Sequence, residues 1–365
     1  MRPLELYIHI PFCASKCKYC DFLSAPATEA EREEYVKGLC QKLRTYAELA
    51  EAYRVISIFV GGGTPSLLTA EQAEKIFRAV RETFSVEEDA EITIEMNPGS
   101  VTKAKLASYK KIGVNRLSIG LQSVHNEELK ILGRIHTYED FLETYEMARE
   151  EGFQNINIDL MFAIPHQTVG TWKETLHKTA GLQPEHISAY SLIIEEGTPF
   201  YEMYGEGRNA QELPGEEEEC AMYQIAGEVL KRYGYARYEI SNYAKEGFEC
   251  RHNLGYWNRT EYLGIGTGAA SLMNHMRWNE GEQKEALSLN GQMEECMFLG
   301  LRKMKGVSKQ AFEEEFGQSI EEIYGNVIEN MKEKGLIEDG EGFVRLTEKG
   351  ISISNYVMSE FLMDG

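Results

Sequence analysis

Three of the seven cysteines lie close together near the start of the chain, in the loop Cys13-Ala-Ser-Lys-Cys17-Lys-Tyr-Cys20. Three thiolates on so short a loop can face one metal centre. A [4Fe–4S] cluster normally takes four cysteine ligands, so three would leave one iron with an open coordination position. Zinc with a nearby histidine and simple buried cysteines are the alternatives. The C-x3-C-x2-C spacing is unusual for zinc, and Lys16 and Lys18 make the loop polar, so the pattern favours the cluster.

The other chemical motif is a run of three glycines, Gly61-Gly-Gly-Thr-Pro65, which follows a β-rich segment. Glycines at the end of a strand let the backbone approach a ligand closely, although a plain turn is the alternative. The remaining cysteines are isolated in the sequence, and we interpret them as small core residues or as residues without a role in the site: Cys40, Cys220, Cys250 and Cys296.

Short β-rich runs alternate with longer helical stretches along most of the chain. The runs cover residues 6–10, 55–60, 91–95, 115–120, 155–161 and 186–194. Each return to a parallel strand needs a crossover helix, so six strand–helix units in series predict a parallel sheet. A full barrel of this kind has eight units. We therefore predict an α/β fold, an open three-quarter (β/α)6 TIM-like barrel, with its active site at the carboxyl ends of the strands.

The pattern changes twice after the sixth unit. Residues 1–235 would form the barrel, and the acidic run at 216–219 would be the first turn of a helix that reaches Tyr233. Residues 236–287 are rich in glycine and aromatic residues and predict an extension. Residues 288–365 indicate helices and a short hairpin, so we predict an α+β C-terminal domain that is winged-helix-like at its end.

The charge balance limits the classes of partner. With 38 Lys and Arg against 59 Asp and Glu, the net charge of −21 argues against a nucleic-acid-binding protein, because phosphate contacts need a basic face. No apolar run approaches the roughly 18 residues of a membrane helix. The start of the chain becomes strand-like too soon for a secretory signal. We expect a cytoplasmic protein with reduced cysteines, and a peripheral position at the membrane is compatible with this.

The cysteine spacing resembles the signature of the radical S-adenosylmethionine enzymes. The segment Tyr7-Ile-His-Ile-Pro-Phe-Cys13 resembles one branch, the oxygen-independent coproporphyrinogen III oxidases and their relatives. The likeness continues through 61–65, 115–122, 157–160 and 264–268. It implies a [4Fe–4S] cluster held by Cys13, Cys17 and Cys20. It also implies S-adenosylmethionine on the open iron, where one electron from the cluster splits a C–S bond and yields a 5′-deoxyadenosyl radical.

The same resemblance implies a set of cofactor contacts. Gly62, Gly63 and Thr64 match the site for the amino group, and Ile193 would offer its backbone to the adenine. Arg134 can pair with the ligand carboxylate through its fork of donors. The remaining matches to family ligand contacts are Tyr7, Tyr19, Glu95, Gln122 and Asp159. Taken singly, each of these could instead be a surface residue or a strand-end cap.

Within this branch, three features favour haem chaperones of the HemW type over the oxidase. The oxidase has a fourth cysteine where this chain has Phe22, and it has a long extension where only twelve residues precede Cys13. The segment 251–257 resembles the H-N-x-x-Y-W motif that is proposed to bind haem in the chaperone group. We therefore expect a chaperone that binds haem and delivers it to haem-requiring respiratory proteins, with coproporphyrinogen III oxidation as the alternative function.

The motif itself allows two interpretations. His252 is of the residue type that serves as an axial haem ligand, and Tyr256 and Trp257 could supply flat apolar surface. The structural alternative is that His252 and Asn253 cap a turn while the two aromatic side chains pack in the core.

Overall fold

The computed structural model describes residues 1–363. Six parallel strands, adjacent in chain order, form the centre of the main sheet: β1 (Arg2–Ile10), β2 (Tyr53–Gly62), β3 (Ser85–Met96), β4 (Arg116–Gln122), β5 (Ile156–Phe162) and β6 (His186–Ser191). The helices that connect and follow them are α1 (Glu29–Arg44), α2 (Ala47–Ala50), α3 (Ala70–Thr83), α4 (Lys103–Lys111), α5 (Asn126–Leu132), α6 (Tyr138–Glu150), α7 (Val169–Gly181), α8 (Pro199–Tyr204) and α9 (Glu216–Arg232). The predicted α/β fold with a six-stranded open barrel is confirmed.

Side chains alternate between the two faces of the central strands. In β1, Leu6 and Ile8 belong to the main hydrophobic core, whereas Tyr7 between them lines a cavity inside the barrel. In β4, Leu117 is in the core and Ser118 lines that cavity. Successive residues of a strand point to opposite faces, so the apolar set packs under the helices and a polar set fills the barrel interior.

Polar side chains fix where the helices begin. The helices α1, α3, α6 and α7 each start at a threonine whose hydroxyl accepts a hydrogen bond from the third helical residue. This capping box satisfies backbone donors that the first turn leaves free. In α9 the four acids of the run 216–219 occupy the first turn, as predicted, where they complement the helix dipole.

Residues 236–287 add strands to both edges of the main sheet: β7 (Ala236–Arg237), β8 (Asn242–Ala244), β9 (Tyr262–Ile265), β10 (Ala270–Met273), β11 (Met276–Asn279) and β12 (Glu285–Ala286). Strand β8 pairs with β6, and β9 pairs with β1 at the opposite edge. Between them, helix α10 (Arg251–Trp257) inserts side chains into the barrel. The buried residues Leu263 and Ile265 lie in the same core as the central strands.

The C-terminal part has its own hydrophobic cluster, which includes Phe312 and Val344. Its elements are α11 (Leu289–Gly300), β13 (Val307–Ser308), α12 (Lys309–Phe316), α13 (Ile320–Glu333), β14 (Ile337–Gly340), β15 (Phe343–Leu346), α14 (Glu348–Ser352) and α15 (Ser354–Ser359). The three strands form an antiparallel sheet in the order β13-β15-β14. Its assignment as a winged helix stays a prediction.

Within residues 1–363, none of the helices has the length and apolar character that crossing a bilayer requires.

Candidate functional site

A cavity of about 370 Å³ lies at the carboxyl ends of the central strands. Its wall is built by the loop after β1, the glycine segment after β2 and the ends of β3 to β6. Most of the predicted site residues line it: Cys13, Cys17, Tyr19, Cys20, Gly62, Gly63, Thr64, Glu95, Gln122, Arg134, Asp159 and Ile193. We call it the outer cavity.

The cysteine loop is held by backbone hydrogen bonds to neighbouring segments. The amide of Cys13 donates to the carbonyl of Ala25 at 3.1 Å, and the amide of Lys18 donates to the carbonyl of Leu132 at 3.0 Å. All three cysteines of the loop are partly buried and free of disulfides. Burial raises the pKa of the Cys20 thiol, and the neighbouring Cys17 adds to this shift.

The glycine segment packs directly against the start of that loop. The amide of Gly63 donates to the carbonyl of Ile10 at 2.9 Å, and a Cβ on Gly63 would lie 2.6 Å from the carbonyl oxygen of Phe12. Gly62 has a φ of 108°, and a Cβ there would collide with the ring of His9. A larger residue at Gly63 would push the start of the cysteine loop away, and one at Gly62 would displace the ring of His9.

A polar chain connects Cys13 with Cys17 across the outer cavity. The Cys13 Sγ lies 3.5 Å from the Thr64 Oγ1, which accepts a hydrogen bond from the Asn97 Nδ2 at 2.9 Å. The Asn97 Oδ1 in turn accepts from the Arg134 Nη2 at 2.8 Å, and the Arg134 Nη1 approaches the Cys17 Sγ at 3.6 Å. Asn97 was not among the residues predicted for the site, although its place two residues after Glu95 at the end of β3 was a usable signal.

Arg134 is already well occupied in this arrangement. Its Nη2 donates to the carbonyl of Gly120 at 2.8 Å as well as to Asn97. The guanidinium is therefore fixed between the end of β4 and the cysteine loop, and part of its donor fork is used by the protein itself.

Two half-buried carboxyl groups form the floor of the outer cavity. The Glu95 Oε2 accepts a hydrogen bond from the amide of Gly62 at 3.1 Å. Burial raises the pKa of Glu95 to about 8, and Asp159 raises it further in the same direction. The Asp159 Oδ2 accepts from the Ser118 Oγ at 2.9 Å, and its Oδ1 accepts from the Asn157 Nδ2 at 2.8 Å. Burial also raises the pKa of Asp159, so both groups favour the protonated form more than exposed carboxyls do.

The rim of the outer cavity is apolar. Phe22 and Ile193 both line it, and they are 62% and 64% exposed. Gln122 lies deeper, at the end of β4, with a φ of 71°. Burial raises the pKa of the Tyr19 phenol, and the charge of the neighbouring Arg134 partly offsets this shift.

Tyr7 lies outside the outer cavity. Its hydroxyl is 3.2 Å from the His9 Nδ1, and its side chain lines a second, inner cavity of about 210 Å³ within the barrel. A contact of Tyr7 with S-adenosylmethionine stays a prediction.

His252 is buried inside the barrel, with 1% of its surface exposed. Its Nδ1 is 2.8 Å from the Ser57 Oγ, and its Nε2 is 3.1 Å from the hydroxyl of Tyr256. Burial lowers the pKa of His252 to about 3, and the charge of Arg116 lowers it further. Both ring nitrogens are engaged by protein groups in this structure, which favours the structural alternative, and ligation of haem by His252 stays a prediction.

The two aromatic residues of the motif also pack against protein groups. Tyr256 packs edge-on against His252, with ring centroids 4.8 Å apart. Trp257 faces the C-terminal part, where the guanidinium carbon of Arg302 lies 4.3 Å from its ring centroid. In this structure the motif closes the barrel on the side away from the outer cavity, and haem contact by Tyr256 and Trp257 stays a prediction.

The outer cavity fits the groups that the resemblance implies. The three cysteine sulfurs face one space, and a hydroxyl and a guanidinium approach two of them. Among residues 1–363, no three His, Cys, Asp or Glu side chains converge on a point that would hold a single metal ion. A cubane cluster makes a different demand, because its thiolates bind separate irons around a shared space. Partly exposed glycine backbone and two half-buried carboxyl groups next to that space suit a ligand with an amine and hydroxyl groups.

Comparison with protein-family models matches residues 7–179 to the Radical SAM superfamily and residues 287–353 to the HemN C-terminal domain. The "Heme chaperone HemW" of Bacillus subtilis (strain 168) is 38% identical over 375 residues, which are 98% of this chain and 98% of that protein. The protein of the same name from Escherichia coli (strain K12) is 40% identical over 270 residues, 74% of this chain and 70% of its own length. This chain belongs to the HemW family of radical SAM proteins.

Among solved structures, "Coproporphyrinogen III oxidase (HemN) from Escherichia coli" matches with a TM-score of 0.86 and 23% sequence identity. The match covers 99% of this chain and 90% of the other. At this identity the likeness concerns the fold: the HemW-family chain shares the architecture of HemN from end to end. Membership of the radical SAM superfamily implies a [4Fe–4S] cluster and S-adenosylmethionine as cofactors.

Proposed function

We propose that this protein is a haem chaperone, which binds haem and passes it to haem-requiring proteins, including respiratory cytochromes and other acceptors at the membrane. The observation that carries the proposal is the 38% identity with a protein named as a heme chaperone over 98% of both chains. The structure adds a cavity with an exposed apolar rim, which suits a flat hydrophobic ligand.

In this proposal Cys13, Cys17 and Cys20 hold the cluster, and the glycine segment with Glu95 and Asp159 holds S-adenosylmethionine. When bound, the two groups supply reductive cleavage of a C–S bond. The protein contributes the fixed loop, through its hydrogen bonds to the strand ends, and a cavity floor in which the carboxyl group of Glu95 retains its proton near neutral pH because its pKa is raised to about 8.

We place the porphyrin against the rim formed by Phe22 and Ile193. Phe22 stands where the oxidase has its fourth cysteine, and in this chain the position offers apolar surface instead of a thiol. An exposed Phe and an exposed Ile on one rim are costly to leave in water, and a flat aromatic macrocycle would cover both.

The test is an anaerobic haem titration of the reconstituted protein, followed by absorbance. The double variant Phe22→Ser, Ile193→Ser should bind haem about 10-fold or more weakly, because two apolar contacts are lost. Leu289→Ser on α11 is the matched control, since Leu289 is also exposed but lies far from the rim in the C-terminal part. Equal affinity in all three proteins would exclude the rim as the haem site.

A second assay separates the chaperone from the enzyme. The reconstituted protein is incubated with coproporphyrinogen III, S-adenosylmethionine and a reductant, and in parallel the haem-loaded protein is mixed with an apo-cytochrome. Transfer of haem without formation of protoporphyrinogen is the expected result. Formation of protoporphyrinogen would overturn the chaperone proposal.

A further inference from the structure

The inner cavity has a lining that the cofactor site does not explain. It measures about 210 Å³ and lies inside the barrel beneath the outer cavity. Four residues line both spaces, so the two cavities share a wall: Glu95, Ser118, Asp159 and Tyr190. The rest of the inner lining is mainly polar and includes Arg116, Asn157 and Tyr7.

Arg116 is the unusual member of this lining. It projects from β4 into the barrel and is only 1% exposed. Its Nε has no hydrogen-bond partner, and within residues 1–363 its guanidinium forms no salt bridge with a carboxylate. A guanidinium stays charged even when buried, so an unpaired one in a barrel interior is costly unless something else receives its hydrogen bonds.

The nearest acids are committed elsewhere. Glu91 accepts from the backbone amides of Arg251 and His252 at 3.1 Å and 3.2 Å, through one oxygen each. Asp159 has both of its oxygens occupied, by Ser118 and by Asn157. Neither carboxyl group is therefore held by Arg116, and the donor fork of Arg116 remains directed at the cavity.

We propose that the inner cavity is a carboxylate-binding site, in which Arg116 pairs with the carboxylate of a short-chain acid or of a haem propionate. An arginine fork matches a carboxylate in geometry and charge, and the hydroxyl of Tyr7 adds a further polar group to the same space. The raised pKa of Glu95 supports the proposal, because a protonated Glu95 does not repel an anion at neutral pH. The free-acid form of the proposal is independent of the haem-chaperone function, whereas the propionate form rests on it.

The first experiment uses the wild-type holoprotein, with cluster and S-adenosylmethionine, at pH 7. Its melting temperature is measured with increasing sodium propionate, with propionamide and with sodium chloride at equal ionic strength. Propionamide has nearly the same shape and no charge. Saturable stabilisation by propionate alone is the expected result, and equal responses to propionate and propionamide would overturn the proposal.

The second experiment asks whether Arg116 is responsible. Arg116→Met should weaken the apparent affinity for propionate about 10-fold or more. Arg149→Met is the matched control, because Arg149 is a partly buried arginine paired with Glu185 outside the barrel interior, and this variant should respond as the wild type does. Arg116→Lys keeps the charge without the fork and serves if the methionine variant does not fold; it too should bind more weakly. Unchanged propionate affinity in a folded Arg116 variant would refute the assignment.

The third experiment identifies the source of the carboxylate. Haem and haem dimethyl ester, in which both propionates are esterified, are titrated into the wild type and the Arg116 variant. If the wild type binds haem more tightly than haem dimethyl ester and the Arg116 variant does not, the site takes a haem propionate. If the wild type binds both haem forms equally and is still stabilised by sodium propionate alone, the site takes a free short-chain acid. Failure of both haem forms to bind would contradict the chaperone function while leaving the propionate result to decide on this site.

Discussion

The Cys17 sulfur illustrates how much one residue depends on its neighbours, since Arg134 approaches it at 3.6 Å while the same guanidinium is tied to Asn97 and Gly120. We predict that Cys17→Ser abolishes the iron–sulfur cluster, because a hydroxyl is a poor substitute for a thiolate ligand. Iron and sulfide analysis after anaerobic reconstitution should fall from about four of each per chain to near zero.

The matched control is Cys296→Ser, since Cys296 lies in α11 of the C-terminal part, away from the outer cavity. It should retain full iron content. Loss of the cluster from this control, or retention in Cys17→Ser, would show that the three-cysteine assignment is wrong.

A histidine in the barrel interior leads to a different kind of prediction. His252→Ala removes the contacts with Ser57 and Tyr256 and leaves a cavity, so the free energy of unfolding should drop by about 2–4 kcal/mol. The absorbance spectrum of bound haem should stay unchanged. His136→Ala serves for comparison, because His136 is also buried but lies near the end of β4. A haem spectrum that changes only in His252→Ala would restore the ligand role.

This histidine also marks the limit of what the sequence could tell. The cysteine spacing determines a chemistry, because three thiolates on eight residues have few other uses. A histidine beside aromatic residues has two common uses, and the sequence alone does not show that α10 lies inside the barrel. Asn97 and Arg116 were missed for a related reason: their roles depend on which strand ends and strand faces meet.

At the scale of elements, helix α10 and strand β1 meet at two buried ionisable side chains. The Glu5 Oε2 lies 4.0 Å from the His252 Nδ1, yet burial raises the pKa of Glu5 to about 9 and lowers that of His252 to about 3. Both groups are therefore neutral at pH 7, and the contact is a polar one between uncharged groups instead of an ion pair.

The Glu5 shift predicts how stability depends on pH. The folded state keeps a proton on Glu5 up to about pH 9, whereas the unfolded chain loses it near pH 4.5. The stabilisation linked to this proton is therefore fully present below pH 4.5 and decreases as the pH rises towards 9. Between pH 7 and 9 the wild type should lose about 2 kcal/mol that Glu5→Gln does not lose. Thermal melts should show this as a difference of about 2–3 °C in the change of Tm.

Glu87→Gln provides the control, because Glu87 pairs with Arg54 at the start of β3, away from α10. Its Tm should follow that of the wild type over the same pH range. A Glu5→Gln profile parallel to the wild type would mean that Glu5 ionises in the folded protein well below pH 9.

The elements themselves were predictable to different degrees. Runs such as 115–120 alternate apolar and polar residues and are separated by helical stretches, which is enough to predict six parallel strands. The pairing of β8 with β6 and of β9 with β1 was not predictable from the sequence, because it depends on the two free sheet edges that an incomplete barrel leaves. Residues 236–287 were expected as an extension, and the structure gives them the two edges of the main sheet.

At the scale of the whole molecule, the barrel and the C-terminal part meet near Trp257. Arg302 lies over its ring, and Arg259 reaches Glu295 at 3.5 Å across the same boundary. Trp257→Ala removes the ring that Arg302 covers, so we predict that calorimetry resolves two unfolding transitions where the wild type has one.

Trp278→Ala is the comparison, since Trp278 is buried in the barrel core and not at this boundary. It should lower the melting temperature while the transition stays single. A single transition in Trp257→Ala would show that the other contacts suffice to couple the two parts.

The path of residues 236–287 has a consequence for protein synthesis. The ribosome releases β1 first, but its outer partner β9 emerges only with residues 262–265, and the partner of β6 only with residues 242–244. Until then the nascent chain carries a sheet with two unprotected edges, which readily pair with other chains. A truncated product that ends before residue 242 should therefore aggregate or be captured by cellular folding factors, and iron delivery to the cysteine loop would best wait until synthesis has passed that point.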